Sequence, residues 1–162
     1  MNTWKNEETT HKIMTELAKT VELFGLNPVE ARLFSYLYLS GKPLTLDEMS
    51  EALGKSKTSM STNIRSLSEL NLVTRVWKKG VRKDLYEANS PLYKIFMDFY
   101  IKKWMDAANS QKKSLEEIQR LIERQQKKDE PSTDSDNITD RLKEIIGFHK
   151  ELELLFKKAE GD

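Results

Sequence analysis

The sequence contains no cysteine, which excludes disulfides and thiolate-bound metal and points to a cytoplasmic protein. No apolar run approaches the roughly 20 residues that cross a bilayer, so no membrane partner is expected. The opening residues Met1-Asn2-Thr3-Trp4-Lys5-Asn6-Glu7-Glu8 also lack the apolar stretch of a signal peptide. The six glycines never fall into a phosphate-cradling or dinucleotide-binding pattern. Only two histidines occur, His11 and His149, each without nearby triad or metal partners in the sequence. Carboxylates such as Glu116, Glu117, Glu151 and Glu153 sit among Lys and Arg and read as solvated helix surface. Neither catalytic residues, nor a metal, nor a cofactor is expected, and the chain does not read as an enzyme.

With six glycines and four prolines in 162 residues, loops should be few and helices long. Ile13, Met14, Leu17, Ala18, Val21 and Phe24 recur every three or four residues, which predicts an amphipathic helix from Asn6 to Leu23 that stops at Gly25. Asn27-Pro28 supplies a cap and a proline at the first helical position for a second helix reaching Ser40. Gly41-Lys42-Pro43 ends it. Thr45-Leu46-Asp47-Glu48 is a capping box that opens a third helix, stopped by Gly54, and Ser56 opens a fourth that runs to about Leu70. Two β-rich runs follow, Val73 to Trp77 and Asp84 to Ala88, around a basic turn.

The net charge of +1 hides an uneven distribution, because Lys42 to Lys83 carries nine Lys/Arg against four Asp/Glu. In the fourth helix Met60, Ile64 and Leu67 mark a buried face. Ser56, Lys57, Thr58, Ser59, Ser61, Thr62 and Arg65 remain for phosphates and base edges, and Arg65 suits either guanine or phosphate. Arg75, Lys78, Lys79, Arg82 and Lys83 fall within nine residues without an acid, and Gly80 permits the turn. A basic loop taken alone is ordinary solvated surface. Directly after two capped helices joined by a tight turn, it reads as the wing of a winged helix-turn-helix that binds a double-stranded DNA operator. The competing reading is a winged-helix protein-interaction module without sequence-specific DNA binding. That reading would suit a neutral wing and an acid-blocked fourth helix, but Glu69 is the only acid between Lys55 and Lys83.

Ser90-Pro91 opens a very long helix to about Lys128, followed by a polar linker from Asp129 to Asp136 and a last helix from Ile138 to Lys158. Ile138, Leu142, Ile145, His149, Leu152 and Phe156 form a short heptad seam. It can pack within its own subunit or between two subunits, and the elongated apolar pattern favours a homodimer. Phe96, Tyr100 and Trp104 step by four along the long helix. With Trp77 and Tyr38 they supply ring faces for a quaternary ammonium cage, against the simpler reading that such a stripe is core.

The expected organisation is mostly α: an N-terminal dimerisation helix over 1–25, a winged helix-turn-helix with a short hairpin wing over 26–89, and a helical dimerisation and effector region over 90–162. The chain resembles the MarR superfamily of winged-helix repressors, and within it the GbsR-like branch. The resemblance rests on Leu26-Asn27-Pro28 with Ala31-Arg32-Leu33-Phe34, Leu44-Thr45-Leu46-Asp47-Glu48-Met49, Ser56-Lys57-Thr58-Ser59-Met60-Ser61-Thr62 and Val76-Trp77-Lys78-Lys79-Gly80-Val81-Arg82-Lys83. The aromatic run Phe96-Met97-Asp98-Phe99-Tyr100 with Trp104 extends it to about residue 105. The resemblance implies a homodimeric repressor of osmoprotectant genes on a two-fold operator, with choline as an effector.

Overall fold

The computed structural model describes residues 3–128 and 133–161. Among these residues six helices and one hairpin follow one another: α1 Thr3–Glu22, α2 Pro28–Ser40, α3 Leu46–Leu53, α4 Lys57–Glu69, β1 Val73–Val76, β2 Leu85–Ala88, α5 Leu92–Gln126 and α6 Thr133–Glu160. The chain divides into two compact units, Met1–Phe99 and Tyr100–Asp162, so α1 belongs with the helices that follow it.

The helix boundaries in the first unit are set by local hydrogen bonding. At α2, Asn27 Oδ1 accepts from the Glu30 backbone N–H at 2.8 Å, and the Glu30 carboxylate turns back onto Asn27. The same carboxylate accepts from Ser66 Oγ at 2.9 Å, tying the start of α2 to α4. At α3, the Glu48 N–H donates to Thr45 Oγ1 and the Thr45 N–H donates to Glu48 Oε1, both at 3.2 Å. Gly41 and Gly54 close α2 and α3 in the left-handed region, at φ 64° and 65°. Loss of the Thr45 hydroxyl leaves an N-terminal donor of α3 unpaired. Thr45→Ala should therefore cost about 1 kcal/mol, measured as a lower urea midpoint with an unchanged m-value.

The core of this unit gathers one face from every element. Val21 of α1, Leu33, Phe34 and Leu37 of α2, Met49 of α3, and Met60, Ile64 and Leu67 of α4 are all buried. Met60, Ile64 and Leu67 are the face predicted from the spacing in α4. α2 packs on α1, α3, α4 and β2, and α4 packs on α3 and β1. Strands β1 and β2 pair antiparallel, Val73 with Ala88 through Val76 with Leu85. Leu44 joins the edge through reciprocal backbone bonds to Tyr86, so the loop before α3 anchors the hairpin.

In the second unit α5 and α6 form a helical hairpin. Ile101 and Ala108 of α5 are buried, as are Leu142, Ile146, His149 and Phe156 of α6. Lys112 Nζ donates to Glu153 Oε2 at 2.6 Å, Gln126 Nε2 donates to Thr139 Oγ1 at 3.2 Å, and Trp104 packs on Phe156. Two expectations need correction. Helix α6 begins at Thr133, so the second half of the expected 129–136 linker is helical, while residues 129–132 lie outside the described residues. The heptad seam is also displaced. Ile146 takes the buried position expected of Ile145, and Ile138 and Ile145 are exposed. Because Ile145 and Ile146 are adjacent, one small rotation of the helix exchanges them, and the sequence pattern does not choose between them. Ile138, Ile145, Phe148 and Leu155 form a second, exposed stripe on α6.

Candidate nucleic-acid interface

Ser56, Lys57, Thr58, Thr62 and Arg65 lie on the exposed side of α4, and Ser59 and Ser61 are half-buried. The Ser56 hydroxyl caps the helix, accepting from the Ser59 N–H at 3.1 Å. Thr62 Oγ1 donates to the Thr58 carbonyl at 3.1 Å, and Asn63 Nδ2 donates to the Ser59 carbonyl at 2.8 Å. These local bonds settle the small polar side chains against the helix. Lys57 and Arg65 are the longer groups that extend beyond it, and the free N–H groups at the start of α4 favour an anion there.

The wing turn runs from Lys78 to Val81, whose N–H donates to the Lys78 carbonyl at 3.1 Å. Gly80 stands at φ 84°, the conformation a turn of this kind needs at its third position. Lys78, Lys79, Arg82 and Lys83 are exposed around this turn. Among the described residues Lys78, Lys79 and Arg82 make no ion pair, whereas Arg75 is paired across the hairpin with Asp84. Lys83 reaches back to α3, with Nζ 2.6 Å from Asp47 Oδ2, and Lys57 Nζ lies 3.4 Å from Asp47 Oδ1. The hydrogen bond from Lys83, followed by that from Lys57, holds the Asp47 carboxyl below the usual carboxylate range. The same bond raises the Lys83 ammonium. Thr45, Asp47, Lys57, Arg82, Lys83 and Asp84 line a notch of ≈ 250 Å³ between the N-terminal ends of α3 and α4 and the wing. The role of Asp47 was not legible in the sequence. It sits 10 residues from Lys57 and 36 from Lys83, and only the fold brings them together.

The aromatic residues fall into separate groups. In the first unit Phe96 is 4% exposed, packed edge-on to Phe34 and tilted against Phe24, each at 5.0 Å, so its ring is core. Tyr38 stacks on Phe34 at 6.3 Å. Trp77 lies just beyond β1 and is 81% exposed. In the second unit Tyr100, Trp104 and Phe156 form a chain of ring contacts at 5.6 and 6.2 Å, with Trp104 46% exposed. His149 is buried, and among the described residues its Nδ1 has no hydrogen-bond partner. No cluster of three or more His, Cys, Asp or Glu suited to a metal occurs among the described residues. No described helix is long and apolar enough to cross a membrane.

Comparison with known proteins agrees with this architecture. Residues 24–78 match the model of the MarR family. The chain is 29% identical over 160 residues to the HTH-type transcriptional repressor OpcR of Bacillus subtilis, covering 96% of this chain and 86% of that protein. It is 32% identical over 113 residues to the HTH-type transcriptional repressor GbsR of the same organism, covering 70% and 62% respectively. A crystal structure of a transcriptional regulator superposes with a TM-score of 0.58 at 18% identity, covering 94% of this chain and 96% of that one. With residues 24–78 matching its family model and OpcR and GbsR among its relatives, the chain belongs to the MarR family.

Proposed function

We propose that this protein is a dimeric, sequence-specific DNA-binding transcriptional regulator that acts as a repressor. The observation that carries the reading is the junction of the exposed face of α4 with the wing, where Lys78, Lys79 and Arg82 have no acidic partner among the described residues. Helix α4 enters the major groove, with Arg65 at base edges or phosphate, and the Lys79-Gly80 turn holds the adjacent backbone or minor groove. The exposed stripe Ile138, Ile145, Phe148 and Leu155 supports pairing of two subunits, because an amphipathic helix with a second apolar face needs a second cover. Repression, and not activation, follows the names of OpcR and GbsR.

Selection of binding sites from a pool of random duplexes tests the reading. The expected product is an inverted repeat with half-sites about 34 Å apart, one turn of DNA. A pool without enrichment would favour a protein-interaction module.

Control of osmoprotectant genes, with choline as effector, is the finer part of the proposal. Choline offers no N–H donor and is held by ring faces. With Phe96 in the core, the exposed share of the cage falls to Trp104 beside Tyr100, while Trp77 and Tyr38 retain partly or fully open rings. Choline should quench tryptophan fluorescence at up to about 1 mM where equal NaCl does not, and Trp104→Ala should abolish the response. A flat titration to about 30 mM, far above cage affinities, would remove the effector reading.

A further inference from the structure

Asp47 is a carboxylate placed where the proposed interface needs positive charge. Its two oxygens are used separately, Oδ1 for Lys57 of α4 and Oδ2 for Lys83 of the wing. This is how a bridging phosphate would engage the same two ammonium groups. All three side chains are substantially exposed, at 45%, 61% and 67% for Asp47, Lys57 and Lys83. Exposed pairs of this kind contribute little to folding and exchange readily, so the consequence of the bridge falls on ligand binding and not on stability.

We propose that Asp47 is an internal stand-in for a DNA phosphate, which occupies Lys57 and Lys83 in the free protein and thereby acts as a brake on phosphate binding. The inference rests on the DNA-binding reading and adds an acidic residue that opposes it. A duplex gains both ammonium groups only by displacing the carboxylate. Until it does, the notch between α3, α4 and the wing presents Arg82 with two lysines already neutralised in part, and Asp84 is engaged by Arg75. The bridge thus lowers the sequence-independent component of affinity, the component that depends most on phosphate contacts.

Anisotropy of a labelled random-sequence duplex with the full chain tests this. Asp47→Asn should bind about 3- to 10-fold tighter than wild type for each subunit engaged near 0.1 M salt, the gain expected from freeing two exposed pairs per subunit. Its log–log salt slope should be steeper by roughly 2 to 4, since up to two more phosphates are neutralised by each of two subunits. Glu51→Gln removes the same charge from the exposed side of α3 without touching either lysine, and should stay within about twofold of wild type. In a Lys57→Ala/Lys83→Ala background Asp47→Asn should have no more effect than Glu51→Gln. An Asp47→Asn variant that matches Glu51→Gln, or that binds more weakly than wild type, overturns the brake. Carboxyl titration by NMR in the free protein separates this from failure of the DNA reading. An Asp47 carboxyl that titrates in the ordinary range overturns the bridge whether or not any duplex binds.

Discussion

Replacing Lys78, Lys79 and Arg82 together with alanine should lower affinity for any duplex by at least about 100-fold near physiological salt. If two copies of the interface contact roughly 8 phosphates, the wild-type log–log salt slope is near −7. Removing three cations per subunit would leave roughly two contacts and a slope near −2. These three side chains are exposed and make no ion pair among the described residues, so the variant should unfold at the same temperature as wild type. That pairing of a large binding loss with unchanged stability distinguishes phosphate contacts from a structural role. A triple variant retaining the wild-type slope would remove the wing from the interface. Arg65→Ala supplies a contrast: if Arg65 reads a base, its loss changes sequence preference as well as affinity.

The second large effect is on the scaffold. Phe34 is fully buried and touches Tyr38 and Phe96, so it joins the body of α2 to the start of α5, where Phe96 in turn meets Phe24. Phe34→Ala should destabilise the first unit by about 3–5 kcal/mol, from lost burial and the cavity that remains. In a chain of this size the expected fall in Tm is roughly 10 °C. Phe34→Leu, which retains most of the volume, should cost less than half as much. A loss below about 1 kcal/mol for Phe34→Ala would mean that this aromatic cluster does not hold the unit together.

Where a local rule is decisive, the sequence alone indicates the structure. Asn27 with Glu30 and Thr45 with Glu48 are reciprocal caps whose donors and acceptors lie three residues apart, and both form as the spacing requires. The glycines after α2 and α3 mark their ends for an equally local reason. The start of α6 was harder to read, because hydroxyl and acidic residues are favoured both in linkers and in the first turn of a helix. Along α6 the difficulty is apolar excess: Ile145 and Ile146 each complete a plausible seam, and it is Ile146 that is buried. The cationic residues of the proposed interface stand out one by one from composition and position. Their coupling through Asp47 does not, since it depends on a contact between residues 36 apart in the chain.

Phe96 marks the corresponding limit for the aromatic stripe. Spacing by four places Phe96, Tyr100 and Trp104 on one face of α5, but what covers each ring varies along the helix. Phe96 is enclosed by Phe24 and Phe34, while Trp104 remains 46% exposed beside Tyr100 and Phe156. Periodicity identifies a face and leaves its cover undetermined.

Fluorescence anisotropy on two labelled duplexes across a salt series distinguishes sequence-specific DNA binding by a paired winged helix from its absence. One duplex comes from the region upstream of this protein's own gene and the other is random. Preferential binding to the upstream duplex and a log–log salt slope near −7 are expected. Weak binding that is equal for both duplexes, with a slope shallower than about −2, would contradict sequence-specific binding of this kind.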